Sequence, residues 1–229
     1  MKLVIKIGGS LLFDENRQPN AARFRQYAHE VRQARDRGHR IVLVVGGGAL
    51  ARTLIQQGKL LKARKDALDQ LGIAATWVCA QLMIAALDEL AYPVPMITEE
   101  EIAGRIESKL ILVAGGLTPG QSTNAVAARI AELMKADALV NVTDVDGIYD
   151  RDPKRHSTAK LLPVVNVSQL RQITSSLPSE PGTYPLFDKR AIEIVERGRI
   201  EVWFVNGQQP QSILAALDKK RIGTRLLPG

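Results

Sequence analysis

The chain has 229 residues, 45% of them hydrophobic and only 4% aromatic, so it can form one large α/β domain or two small ones around a mainly aliphatic core. A single cysteine, Cys79, excludes an intramolecular disulfide and a cysteine-cluster metal site, and its apolar helical surroundings favour a buried, inert thiol. The net charge of +7 makes nucleic acid a class of partner to consider.

The distribution of that charge argues against a specific nucleic acid partner. The densest basic cluster, at 59–65, is followed by Asp66 and Asp69, and elsewhere basic residues alternate with acids. A basic surface also attracts small phosphorylated substrates. No apolar run approaches the ~18 residues that a membrane span needs, and residues 1–8 are too short and strand-like for a signal peptide. We therefore expect a soluble, cytoplasmic protein with no membrane partner.

The first predicted strand, at 2–7, ends at Gly8, Gly9 and Ser10. Glycines directly after a first strand suggest a backbone that approaches a phosphate closely. Lys6 lies in the apolar run just before them. We interpret it as a residue that points into a site, and the alternative is a solvent-facing residue of an edge strand.

The next elements are a helix at 20–37 and a second, central parallel strand at 40–45. Three consecutive glycines, Gly46, Gly47 and Gly48, follow that strand and lead into a helix, where backbone N–H groups can bind an anion. Arg52, about one turn into the helix, can reach the same anion. The glycine spacing matches neither a Walker A motif nor a Rossmann fingerprint.

A long helix or a kinked pair is predicted at 64–91, with an apolar face so broad that it indicates burial both within the domain and against another subunit. Asp69 lies beside that face. It is either a solvated charge or a ligand for a sugar hydroxyl in a cleft. A short strand at 94–97 and a capping box formed by Thr98 and Glu101 come next.

A third glycine-rich junction follows the strand predicted at 110–114. It runs from Gly115 to Asn124 and leads into an alanine-rich helix at 125–134. Hydroxyl and amide groups crowd the start of this helix, where they can donate to a phosphate or to the edge of a base.

Acidic residues mark the end of the strand that begins at 137–140. Asp144, Asp146, Tyr149 and Asp152 follow it, and ligands of an α/β sheet bind at such strand ends. The acids can reach magnesium or its waters while the aromatic ring covers a base. The alternative is a surface turn, because Asp-Gly and Asp-Pro are common turn dipeptides.

The remaining elements complete an α/β pattern without an internal repeat. They are a strand at 161–165, a helix capped by Ser168, a mobile loop at 174–184, a helix at 187–197 that carries Asp188, a strand at 200–205, a helix at 211–217 and a strand at 224–227. We predict one domain over 1–229, a three-layer αβα sandwich with a mainly parallel central sheet. Residues up to about 114 would carry one ligand and the remainder, about 115–229, the other.

Together these features favour phosphoryl transfer. The reaction needs two phosphates held in line and their charge neutralised by Lys, Arg, backbone N–H groups and Mg²⁺. The three histidines share no common context, and neither a Ser-His-Asp order nor an HExxH motif is present.

The order of these motifs resembles the amino acid kinase superfamily and, within it, the uridylate (UMP) kinases of the short archaeal type. The resemblance covers nearly the whole chain. Its marks are 6–10, 46–48 with Arg52, 68–72, 119–123 with 125–128, 145–149 with 152–153, 182–184, Asp188 and 223–224.

The resemblance implies that ATP and UMP give ADP and UDP, with Mg²⁺, in a homohexamer built from dimers. On the ATP side it implies that the phosphates are bound by Lys6, Gly8, Gly9 and Ser10. It also implies that Lys6 stabilises the transferred group. The ATP nucleoside pocket would contain Thr143, Asp144, Tyr149 and Asp152. On the acceptor side it implies that Gly47 faces UMP and that Asp69 binds the UMP ribose. Uracil and ribose would be held by Leu117, Thr118, Pro119, Gly120, Gln121, Ser122 and Thr123. Gly48 and Arg52 would bind the phosphates between the nucleotides. Asp146 and Asp188 match acids near the reaction centre, where either could organise Mg²⁺ or orient Lys6.

The chain departs from this pattern in its long helix. Archaeal members usually carry Ser/Thr-Arg-x-Asn where this chain has Thr76, Trp77, Val78 and Cys79, and this difference bears on acceptor recognition. Asp144 with Asp146 also resembles the branch that phosphorylates carboxylates. Two alternatives therefore stand beside a UMP kinase. One is a kinase of the superfamily for another small phosphate or carboxylate acceptor, and the other is a nucleotide-binding sensor without turnover.

Overall fold

The computed structural model describes residues 1–153, 156–175 and 187–228. In these ranges seven strands form one sheet in the order β3-β2-β1-β4-β6-β7-β5. All neighbouring strands are parallel except β6 and β7, so the predicted mainly parallel sheet is confirmed. The strands are β1 Lys2–Ile7, β2 Arg40–Val45, β3 Leu112–Ala114, β4 Ala138–Thr143, β5 Val164–Asn166, β6 Val202–Asn206 and β7 Thr224–Leu227.

Helices cover both faces of the sheet, which makes three layers. One core contains the inward side chains of α1, α3 and α8, and the other contains those of α4, α5, α6 and α7. Successive residues of β1 alternate between the two cores, as the pleat of a strand requires. The α-helices of the described residues are α1 Ala21–Asp36, α2 Gly48–Leu60, α3 Lys65–Leu87, α4 Glu99–Ala103, α5 Thr123–Leu133, α6 Val167–Ser175, α7 Lys189–Gly198 and α8 Ser212–Leu217.

Several helix starts follow directly from local sequence. The side chain of Asn20 accepts the N–H groups of Ala22 and Arg23 and so caps α1. The predicted capping box of α4 is confirmed, since Thr98 accepts the N–H of Glu101 and the carboxylate of Glu101 accepts the N–H of Thr98.

Two predicted strands differ in the structure. Of 94–97, only Met96 joins the sheet, through its N–H to the carbonyl of Val113, because Pro95 has no N–H to continue the ladder. The strand predicted at 161–165 is instead Val164–Asn166. Pro163 breaks the run, and Leu161 makes only an isolated bridge with Tyr149.

The cap predicted for α6 is also wrong. Ser168 lies inside the helix, and Asn166 caps it instead, because its side chain accepts the N–H of Gln169 while the Gln169 side chain accepts the N–H of Asn166. Thr174 and Ser175, predicted as part of a loop, form the last turn of α6. The rest of that predicted loop, including the motif at 182–184, lies outside the described residues.

α3 corrects the expectation that no segment approaches the length and hydropathy of a membrane span. Lys65–Leu90 is long and apolar enough to cross a membrane by length and hydropathy alone. In the structure α3 is one continuous helix, and the side chains of Cys79, Met83 and Leu87 are buried in the core beneath the sheet. Burial raises the pKa of the Cys79 thiol to about 11, so the predicted inert thiol is confirmed.

Candidate functional site

The candidate site lies where the direction of strand addition reverses. From β1 the chain adds β2 and then β3 on one side of the sheet, and it returns to place β4 on the other side of β1. Such a reversal opens a crevice at the carboxyl ends of parallel strands. The segments predicted to bind ligands follow β1, β2, β3 and β4, so the fold brings all of them to this one edge.

The turns after β1 and β2 are packed backbone against backbone. A Cβ atom added to Gly9 would lie 2.1 Å from the nitrogen of Gly48 and 2.7 Å from the carbonyl carbon of Gly46. Gly48 has a φ of +53° and starts α2. Only glycine fits at these contacts, so the two glycine motifs form a single structure.

Gly9 also starts a 3₁₀ turn, Gly9–Leu12, whose first amide groups are free of helical bonding by geometry. The amide of Gly8 is used differently, since it donates to the carbonyl of Val142 at 2.9 Å and extends the ladder between β1 and β4. Backbone donors for an anion are therefore those of Gly9 and Ser10 on one turn and of the α2 start on the other.

Lys6 lies in the centre of the sheet, so the edge-strand alternative is wrong. β1 has β2 on one side and β4 on the other, and Lys6 pairs in register with Asn141 of β4. Burial lowers the pKa of Lys6 to about 8, while the negative charges of Asp144 and Asp188 oppose that decrease. A partly desolvated cation between two carboxylates is suited to holding phosphate.

Asp188 connects two helix starts. It caps α7 through one carboxylate oxygen, which accepts the N–H of Ala191 at 3.0 Å, and its other oxygen accepts the hydroxyl of Ser122. Ser122 in turn caps α5 by accepting the N–H of Ala125. The amino ends of α5 and α7 thus meet within reach of the charge of Lys6, and both helix dipoles favour an anion there.

Asp146 is held by two partners. Its oxygens accept the hydroxyl of Tyr149 at 2.9 Å and the side-chain amide of Asn206 at 2.8 Å. The bond to Asp146, together with burial as the larger cause, raises the pKa of Tyr149. This arrangement orients the aromatic ring that the sequence assigned to a nucleoside pocket.

The motif at 223–224, where β7 begins, packs against the acidic loop at Gly147 and Ile148. The hydroxyl of Thr224 accepts the N–H of Ile148, and a Cβ on Gly147 would lie 2.5 Å from that hydroxyl oxygen. Gly223 has a φ of +62°, and an added Cβ would meet the carbonyl oxygen of Phe204 at 2.0 Å. Both glycines are therefore required for β7 to approach the acidic loop.

The junction after β3 rests on α3. The N–H of Gly116 donates to the hydroxyl of Thr76 at 2.6 Å, and the indole N–H of Trp77 donates to the carbonyl of Gly116 at 2.9 Å. Beyond it, Gln121 N–H bonds to the carbonyl of Thr118 across Pro119 and Gly120, whose φ is +75°. Proline followed by a glycine of positive φ is the signature of a type II turn.

The predicted site residues fall into three groups. Lys6, Asp144 and Asp188 are electrostatically coupled. The glycine turns and the segment 117–123 follow β1, β2 and β3, so they lie at the same edge of the sheet. Arg52 is exposed on α2, and Asp69 is half-buried on α3, so neither joins the carboxylate group around Lys6.

Sequence reasoning missed two residues that shape the site, Asn141 and Asn206, and it missed the contacts through which Thr76 and Trp77 act. Asn141 is the polar residue of an otherwise apolar strand, a local signal that could have been noticed. Asn206, Thr76 and Trp77 are joined to the site by bonds over 39 to 60 residues. Sequence spacing gives no hint of such partners.

The acids fit a magnesium ion that is carried mainly by nucleotide phosphates. Among the described residues there is no group of three or more His, Cys, Asp or Glu side chains that could hold a metal alone. Mg²⁺ in kinases is typically bound by phosphate oxygens, waters and one or two carboxylates. Asp144, Asp146 and Asp188 can supply the carboxylates.

These features define an α/β protein that binds phosphorylated ligands at the switch point of a mainly parallel sheet. The family model described as the amino acid kinase family matches residues 1–206. The chain belongs to this family.

Several relatives and solved structures are similar over the full length. Uridylate kinases from Methanobrevibacter smithii and Sulfurisphaera tokodaii are 36% and 38% identical to the chain, with coverage of 99% and 100% of both sequences. The crystal structure of the uridylate kinase from Archaeoglobus fulgidus is 33% identical, has a TM-score of 0.88 and covers 99% of this chain and 100% of its own. A Bacillus anthracis UMP kinase, 18% identical with a TM-score of 0.83, shares the fold.

Proposed function

We propose that the chain is a uridylate kinase that transfers the γ-phosphoryl group of ATP to UMP, giving ADP and UDP, a step of pyrimidine nucleotide biosynthesis. The observation that carries this proposal is Lys6, desolvated at the switch point between paired glycine turns and two carboxylates. The full-length similarity to uridylate kinases supports UMP as the acceptor.

The reaction joins an oxygen of the UMP phosphate to the γ-phosphorus and breaks the bond from that phosphorus to the β–γ bridging oxygen, and ADP leaves with the electron pair. Charge on the transferred group rises along this path. Lys6 stabilises it because its ammonium group is held in place and partly desolvated, which strengthens its electrostatic interaction with the transferred group. With a pKa of about 8, Lys6 keeps its proton at neutral pH.

On the acceptor side we assign UMP to the turns after β2 and β3. Gly47 and Asp69 would face the nucleotide, and the segment from Leu117 to Thr123 would hold uracil and ribose. Gly48 and Arg52 would bind the phosphates between the two nucleotides, since the start of α2 supplies N–H groups and Arg52 is exposed one turn further on. We therefore propose an acceptor-side lobe at about 1–114 and an ATP-side lobe at about 115–229, within one domain.

On the ATP side we assign the phosphates to Lys6, Gly8, Gly9 and Ser10. The amide of Gly8 is already bonded to the carbonyl of Val142, so Gly8 contributes by having no side chain that would block the ligand. Gly9 and Ser10 contribute their backbone amides. The nucleoside would lie against four residues of the acidic loop and the strand before it: Thr143, Asp144, Tyr149 and Asp152. Mg²⁺, when bound through the phosphates, neutralises their charge. Asp146 or Asp188 would hold its waters.

The exposed part of α3 supports a homo-oligomer. Val78 is 50% exposed and Leu82 39% exposed one turn apart on α3, and Leu60 and Leu61 at the end of α2 are exposed as well. Exposed apolar side chains on neighbouring turns of one helix, as at Val78 and Leu82, are typical of a subunit interface. We propose a cytoplasmic homohexamer, and light scattering on the eluting protein should give a mass six times the 25.1 kDa of one chain.

ADP release with Mg-ATP against UMP, CMP, AMP, isopentenyl phosphate and acetylglutamate tests the activity. We expect turnover that is strong and selective for UMP. Preference for another acceptor would retain the family and refute the assigned substrate. ATP binding without turnover on any of them would favour a sensor.

A further inference from the structure

Thr76 and Trp77 hold the turn after β3 through the backbone N–H and carbonyl groups of one residue, Gly116. At Gly116, the N–H donates to the Thr76 hydroxyl at 2.6 Å and the carbonyl accepts the Trp77 indole N–H at 2.9 Å. The Thr76 hydroxyl donates in turn to the carbonyl of Ile73 at 2.6 Å, so its hydrogen position is determined. Two successive residues of α3 therefore fix one peptide unit on each side of Gly116.

The same turn of α3 also touches the turn after β2. A Cβ added to Gly47 would lie 3.3 Å from the methyl group of Thr76, and one added to Gly115 would lie 2.3 Å from its hydroxyl oxygen. Thr76 is buried between the two turns, while Trp77 is half-buried beside them. A single helical turn thus sets the distance between the two segments that we assign to the acceptor nucleotide.

We propose that Trp77 is a positioning residue for the acceptor nucleotide, which acts by fixing the carbonyl of Gly116 and, through it, the loop from Leu117 to Gln121. This inference rests on the proposed function, because it names how the UMP site is held. Loop residues 118–120 are exposed, and the structure ties them to the protein mainly at the two ends, at Gly116 and at the Ser122 cap. Loss of the bond at Gly116 would let the loop sample conformations that do not bind UMP.

The first test compares kinetic constants of full-length variants. Trp77→Phe keeps an aromatic ring and removes the only donor of the indole. We expect KM for UMP to rise about fivefold or more, the factor that corresponds to one lost hydrogen bond, with KM for ATP unchanged. A general loss of folding would instead reduce the active fraction and leave both KM values as they are.

A second pair of variants covers the case in which Trp77→Phe fails to fold. Thr76→Val should raise KM for UMP in the same way, because the N–H of Gly116 loses its acceptor, while Thr76→Ser should restore it by keeping the hydroxyl. Trp203→Phe is the matched control. Trp203 lies on β6, away from the loop, and its indole donates to Glu201 just before that strand, so KM for UMP should not change.

Trp203→Phe also makes Trp77 the only tryptophan, because the chain has two. UMP added without ATP should then change the fluorescence in a saturable way, whereas ATP alone should not. Unchanged fluorescence with UMP would overturn the inference while leaving the kinase activity intact. The same holds for an unchanged KM for UMP in Trp77→Phe or, where that variant does not fold, in Thr76→Val. Absence of UMP turnover in the unmodified protein would instead overturn the proposed function and this inference together.

Discussion

The site residues on the two sides of Lys6 are held in place by different means. Toward β2 and β3, the shape depends on backbones in contact, at Gly9 against Gly46 and Gly48, and on the turn of α3 that carries Trp77. Toward β4, β6 and β7, Gly147 and Gly223 make close contacts behind the acidic loop, but the carboxylate that faces the site, Asp146, is held by side-chain hydrogen bonds with Tyr149 and Asn206.

The two sides should therefore respond differently to mutation. A backbone contact leaves no space for an added atom, so a small enlargement disrupts it. A hydrogen-bonded carboxylate that is partly exposed can exchange a lost partner for water, so its loss is milder. The predictions below test this contrast, beginning with the largest effect.

Gly9→Ala should have the largest effect. Its Cβ would overlap the nitrogen of Gly48 at 2.1 Å, and the neighbouring atoms are backbone and cannot turn away. We expect a loss of about 3 kcal/mol or more in the free energy of unfolding, with loss of turnover. Urea denaturation measures it. Gly104→Ala is the matched control, since a Cβ there lies no closer than 3.4 Å to any neighbour, and it should be close to neutral.

Lys6→Ala should reduce kcat by ~100-fold or more, because a preorganised charge on the transferred group is lost. Lys59→Ala, an exposed lysine near the end of α2, should leave kcat unchanged. An undiminished kcat in Lys6→Ala would remove Lys6 from the mechanism.

Lys6→Met should stabilise the fold even though it inactivates the enzyme. A pKa lowered from 10.5 to about 8 corresponds to about 3 kcal/mol of unfolding free energy lost at neutral pH. The folded protein is destabilised because Lys6 binds its proton more tightly in the unfolded chain than in the folded one. This loss of unfolding free energy is complete below pH 8 and disappears as the pH rises toward 10.5. Urea denaturation of both proteins at pH 7 and pH 10 should therefore show a stability difference that shrinks with pH.

The pH profile of activity should reflect the same lysine. We expect kcat/KM for ATP to fall with an apparent pKa of about 8 as Lys6 loses its proton. Asp144→Asn should move this alkaline limb to lower pH, because the Asp144 charge raises the pKa of Lys6. Asp66→Asn, on the exposed start of α3, is the control and should leave the limb in place. An alkaline limb unaffected by Asp144→Asn would contradict the coupling.

Tyr149→Phe should have the smallest effect. It removes the hydrogen bond to Asp146, worth about 1 kcal/mol, and should raise KM for ATP a few-fold without changing KM for UMP. Trp77→Phe is its counterpart on the other side of Lys6, with the opposite expected pattern. A change in both KM values from either variant would show that the two sides are not independent.

Much of the site could be predicted because its signals are local. An apolar run followed by glycines at Ile7 and at Val45 predicts a strand end with a tight turn, and both turns are present. Asp188 was placed near a helix start from sequence and caps α7. The errors also have local causes, since prolines at 95 and 163 interrupt apolar runs that otherwise look like strands.

Most of the secondary-structure elements and the chemistry at their ends can be read from the amino-acid sequence alone. Hydrophobic periodicity, caps and glycines act over a few residues, so they can be recognised without the fold. The folded chain was needed to show that β1 lies inside the sheet, which desolvates Lys6, and that Trp77 bonds to Gly116 and Asn206 to Asp146. Those contacts depend on the order in which strands pair, and strand order is set by packing across the whole domain rather than by any stretch of the chain.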